Sequence, residues 1–139
     1  MKRYCFFMLI VSFFANIAIA ANTKYELATE ISFSDDILEL HAQGYTKLNL
    51  LKFELTKVGN ISLTGSLSVD GGKANIVMWS KVQGKYYFTK LPALQEFSSR
   101  SFQRISIPFS SPENPVTEVL LDFELPAGGT VRLKDIELE

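Results

Sequence analysis

The chain has 139 residues, 14 basic and 15 acidic side chains, one histidine and one cysteine. One core can form in a chain of this length, but two full domains cannot. A near-neutral balance without a basic run argues against nucleic acid and anionic membrane surfaces as partners.

The first 20 residues read as a cleaved signal peptide. Lys2 and Arg3 supply a positive start, an apolar run follows from about Phe6 to Phe14, and Ala18-Ile19-Ala20 is an A-x-A cleavage site. Asn16 interrupts the apolar run, whereas a spanning helix wants roughly 18 clean apolar residues. The expected mature chain, Ala21 to Glu139, therefore has no membrane span, and Cys5 leaves with the signal. Without Lys2 and Arg3, 12 basic side chains face 15 acidic ones, a net charge of −3. The expected location is outside the cytoplasm, periplasmic or extracellular. With no cysteine left, stability must come from apolar burial rather than disulfides.

From there the chain shows period-two alternation almost throughout. Tyr25 to Phe33 and Ile37 to Ala42 read as strands separated by Asp35-Asp36. Leu48, Leu50, Phe53 and Leu55 mark a strand from about Thr46 to Thr56, with a phase slip near Leu51 that predicts a bulge. Ile61, Leu63, Gly65, Leu67 and Val69 alternate with hydroxyl residues and stop at Asp70-Gly71-Gly72. Because Lys73 to Val82 resumes directly, the pair predicts a hairpin. Lys85 to Thr89 is short and aromatic, and Pro92 to Phe97 suggests one helical turn. Ile105, Ile107 and Phe109 precede the turn Ser111 to Pro115. Val119, Leu121, Phe123 and Leu125 form the next strand, and Pro126 to Gly129 turns into the last, Thr130 to Leu138. Eight or nine short strands with regular turns predict an all-β fold, an antiparallel β-sandwich or barrel, as a single domain over 21–139.

The closing segments Phe102 to Phe109, Glu118 to Phe123 and Gly129 to Leu138 resemble the last strands of galactose-binding-like jelly rolls. That group includes the carbohydrate-binding modules of bacterial polysaccharide-degrading enzymes. The stretch from Gly65 to Trp79 resembles the middle of such modules, so the likeness runs from about Leu48 to Leu138. The resemblance implies a jelly roll and a carbohydrate ligand. Many of these modules hold a structural calcium with a carboxylate near the last strand. Here Lys134 precedes Asp135, supplies no oxygen ligand and adds a positive charge, which argues against that calcium. No other cofactor is expected.

The candidate ligand residues follow from alternation. If Ala74, Ile76, Met78 and Val82 face the core, then Asn75, Val77, Trp79 and Lys81 face outward. An exposed indole beside hydrogen-bonding groups suits a sugar, whose C–H face stacks on a ring while its hydroxyls pair at the edge. The competing reading puts Trp79 in the core and Met78 outside. Tyr86 or Tyr87 would extend the platform, and Asn75, Arg104 and Asp122 would pair with hydroxyls. The competing reading makes the tyrosines sheet filler and the charges solvated surface.

Catalytic readings fail on inventory. His41 stands alone, which argues against a zinc or iron site, and no Gly-x-Ser-x-Gly elbow surrounds a serine. The acids are scattered rather than paired across a cleft. The expectation is a non-catalytic binding domain for a carbohydrate or envelope glycan. The alternative is a protein-interaction or structural domain that binds an envelope protein.

Overall fold

The computed structural model describes residues 29–139; the expected signal peptide and the residues before Thr29 lie outside the described part. Six strands make up the described residues: β1 (Thr29–Ser34), β2 (Ile37–Ala42), β3 (Thr46–Val82), β4 (Lys85–Thr89), β5 (Phe97–Leu125) and β6 (Gly129–Leu138). The only helical element among the described residues is a 3-10 turn at Pro92–Leu94, where the proline ring suits the first turn.

All pairings are antiparallel. The hydrogen-bonded order is β1-β2-β6-β3-β4, with β5 also paired to β3. The eight or nine short strands expected from alternation appear as fewer elements because β3 and β5 are long and bend. Residues 46–57 and 75–82 of β3 both flank residues 116–125 of β5, and β4 pairs with 78–82. These make a front layer. Residues 59–69 of β3 lie between 99–111 of β5 and β6, with β2 and β1 beyond. These make the back layer. The result is a β-sandwich.

Both layers turn their apolar side chains inward. Phe53, Met78, Val119, Leu121 and Phe123 from the front meet Leu40, Leu63, Leu67, Ile107 and Leu133 from the back in one buried cluster. The phase slip near Leu51 is a register shift between Asn49 and Leu51, and Leu50 and Leu51 are both buried there. An extra residue lets consecutive leucines reach the same core.

The predicted hairpin of 61–69 with 73–82 does not form. Those segments belong to different layers, and the chain crosses from back to front through Asp70-Gly71-Gly72. Gly71 has a φ of 75°, the signal that alternation alone reads as a hairpin tip. The reason for the crossing is packing. A Cβ built on Gly72 would lie 2.2 Å from the carbonyl oxygen of Gly128, so this corner sits directly on the turn that opens β6. Two glycine pairs thus stack backbone on backbone at one end of the sandwich. The predicted turn at Ser111 to Pro115 behaves the same way, carrying β5 from back layer to front.

Candidate functional site

The outward face of the front layer is set by the parity of residues 74–82. Ala74, Ile76, Met78, Ser80 and Val82 are buried, so Asn75, Val77, Trp79 and Lys81 point away from the core. Trp79 is half-buried, and the reading that placed it in the core is excluded.

What covers it is decided by the turn after Val82. Gln83 and Gly84 have φ values of 50° and 77°, and Val82 pairs with Lys85, the geometry of a two-residue type I′ hairpin. Counting back from that turn puts Phe88 opposite Trp79. The two rings lie 5.6 Å apart at 59°, a tilted contact, and Phe88 remains 63% exposed. Leu120 flanks Trp79 on its other side.

Tyr86 occupies the next row, opposite Lys81, whose Nζ lies 5.3 Å from the phenol ring. Its hydroxyl donates to Glu118 Oε1, and Lys52 Nζ lies 3.6 Å from Glu118 Oε2. The hydrogen bond to Glu118 above all, then burial and the negative charge, pushes the phenol up to about 12.

Beyond Trp79, about 7 Å further along each strand, a cleft of about 380 Å³ opens. It is lined by Val77, Asn75, Asp122 and Glu124, with Lys47 at one side and Lys90 and Gln95 at the other. Its polar groups are held in place. Asn75 Nδ2 donates to Glu124 Oε1 at 3.1 Å, while Asn75 Oδ1 accepts the Glu96 N–H at 2.8 Å. Tyr45 donates to Glu124 Oε2 at 3.2 Å, and Gln95 Nε2 donates to the Ile76 carbonyl at 2.9 Å. An aromatic surface and a set of oriented donors and acceptors therefore adjoin on one face. Among the described residues no three His, Cys, Asp or Glu side chains gather as a metal site.

Of the residues singled out from sequence, Trp79, Tyr86, Asn75 and Asp122 share this face. Two do not. Tyr87 pairs with Ser80 and projects to the opposite side of β4, where its ring lies 6.3 Å from Phe109. There it lines a separate depression of about 330 Å³ with Gln83 and Asn114. Arg104 pairs with Ser66 in the back layer and is exposed on that layer's outer side, so both layers separate it from Trp79. Alternation reports which face of its own strand a residue occupies, but not which layer the strand joins.

Phe88, Lys47 and Lys90 were not singled out, and Glu118 and Glu124 read from sequence as solvated surface charges. Phe88 was within reach of counting: with Gln83-Gly84 as a two-residue turn, Trp79 must face Phe88 rather than either tyrosine. The acids and lysines carry no local signal, because their role depends on residues far away in sequence.

No protein-family model matches the sequence, and no curated protein matches it. Solved structures do match. The chain shares the fold of carbohydrate-binding modules. A family 61 module in complex with beta-1,4-galactotriose superposes with a TM-score of 0.58, at 10% identity and with 81% of each chain covered. A family 4 module gives 0.52 at 12% identity, covering 86% of this chain and 82% of the module. The xylan-binding domain of Xyn10C from Paenibacillus barcinonensis, a family 22 module, gives 0.51 at 9% identity, covering 80% of each chain. Such identities speak to architecture alone, and a shared sandwich hosts many functions.

Proposed function

We propose that this protein is an exported, non-catalytic binding domain that takes a carbohydrate on the outward face of its front layer. The observation that carries the reading is the Trp79–Phe88 pair, outward-facing and adjoining the cleft of Asn75, Asp122 and Glu124. A sugar ring laid on these aromatics would present its hydroxyls to carboxylates, an amide and the ammonium groups of Lys47 and Lys90. Acceptors and donors of both kinds suit hydroxyls, which do both. The fold shared with carbohydrate-binding modules supports the ligand class, and the signal-like N-terminus supports export.

Trp79 is the only tryptophan, so its fluorescence reports the site directly. Titration with a panel of soluble oligosaccharides and polysaccharides should blue-shift the emission with at least one glycan. The same glycan should retard the protein in affinity gels, and Trp79→Ala and Phe88→Ala should each weaken that retardation. Retardation that survives Trp79→Ala unchanged, or the absence of any responding glycan, would refute the assignment.

The same face offers a second reading, a surface for an envelope protein, because Val77 and Leu120 adjoin the aromatics. Its outcome is distinct: no glycan response, with Phe88→Ala abolishing association with a protein partner.

A further inference from the structure

Strand β4 stands at the end of the sheet order, and among the described residues it pairs only with β3. Lys85, Tyr86, Tyr87 and Phe88 are all exposed. Tyr86, Tyr87 and Phe88 are consecutive, yet they make up most of the exposed large hydrophobic residues of the described chain. The Trp79 face accounts for Phe88 and Tyr86, but not for Tyr87 and not for the strand's outer backbone edge.

The hairpin geometry fixes which backbone groups lie on that edge. In a two-residue hairpin the flanking residues, here Val82 and Lys85, form a hydrogen-bonded pair, and such pairs alternate along the ladder. Ser80 with Tyr87 and Met78 with Thr89 are therefore the next bonded pairs. The N–H and C=O groups of Tyr86 and Phe88 point the other way, toward the outer edge.

We propose that this edge pairs antiparallel with β4 of a second copy of the chain, about a twofold axis passing beside Tyr87. Tyr86 then lies opposite the second copy's Phe88 and exchanges both N–H···O=C bonds with it, and Phe88 does the same with the second copy's Tyr86. The two Tyr87 side chains meet at the axis in a non-hydrogen-bonded position, where opposed side chains come closest. Lys85 falls opposite Thr89, and Lys90 opposite Gly84, so the ammonium groups that bracket the strand do not face each other. This register makes the segment self-complementary, aromatic against aromatic in every central pair. That is the reason to assign a second copy rather than an unrelated strand. Each copy uses its edge once, so the assembly closes at two. A five-residue strand buries little area, so the dimer is weak and reversible. In it the two front layers run on as one sheet, with each Trp79–Phe88 pair beside the other copy's Tyr86.

Sedimentation velocity across a micromolar concentration series should show a reversible monomer–dimer equilibrium. Tyr87→Lys sets two ammonium groups against each other at the axis and removes an aromatic contact. It should raise the dissociation constant about tenfold or more, with an unchanged circular dichroism spectrum. In a Cys5→Ser background, Tyr87→Cys should form an intermolecular disulfide on oxidation, while Thr89→Cys, offset by the register, should not. A protein that is monomeric throughout the series overturns the proposal, and so does a dimer that cross-links through Thr89→Cys but not Tyr87→Cys. The inference does not depend on the carbohydrate reading. A monomer that still responds to a glycan removes the dimer and leaves the Trp79 site standing, and a β4-linked dimer that ignores every glycan does the reverse.

Discussion

Replacing Gly72 by alanine separates the crossing between layers from the hairpin that alternation predicts. Gly72 has no left-handed φ, so in an exposed hairpin tip a methyl group would be neutral, or stabilise by about 0.4–1 kcal/mol through the unfolded chain. In the sandwich the added Cβ would stand 2.2 Å from the Gly128 carbonyl oxygen and 3.2 Å from its carbon. The oxygen cannot easily retreat. Gly128 has a φ of 78°, and its own Cβ position lies 2.5 Å from the Ala42 carbonyl oxygen, so β2 backs it from behind. Overpacking of rigid backbone falls in the upper part of the usual range, about 2–3 kcal/mol. For a domain of this size that is a fall in melting temperature of roughly 6–15 °C. Thermal unfolding followed by circular dichroism reads the sign at once. A Gly72→Ala protein that melts at or above the parent temperature would refute the crossing and the layer assignment that follows from it.

Two further outcomes follow. In a spectrophotometric titration Tyr86 should ionise near 12, and Glu118→Gln should bring it back toward the ordinary phenol value of 10. Because the folded value is raised, the Tyr86–Glu118 bond stabilises fully below pH 10, and that contribution is lost between pH 10 and 12. At an exposed site it amounts to less than about 1 kcal/mol, and a Tyr86 that ionises at the ordinary phenol value of 10 would sink this. Ser80 Oγ is buried and has no hydrogen-bond partner among the described residues. Ser80→Ala should therefore raise stability by about 1 kcal/mol in urea unfolding, since it removes an unsatisfied hydroxyl; a loss of stability would mean the hydroxyl is satisfied.

The strand type of nearly every segment, the bulge at Leu51, the outward parity of Trp79 and the turns at Asp35-Asp36 and Gln83-Gly84 were all legible along the chain. Each depends on side chains one or two positions apart, and period-two burial is a local property. The site was half legible for the same reason: Trp79, Asn75 and Asp122 announce their face through their own strands. Whether residues 61–69 return to pair with 73–82 or cross to another layer is not local. It was decided by the contact of Gly72 with Gly128, residues far apart in sequence whose missing side chains let two backbones touch. The tertiary structure alone put Arg104 behind the sandwich and drew Lys47, Lys90 and Glu124 around Asn75, whereas the local hairpin register already turns Tyr87 off the Trp79 face. Alternation states which side of a strand is apolar, but only the packing of distant strands decides which polar sides share a surface.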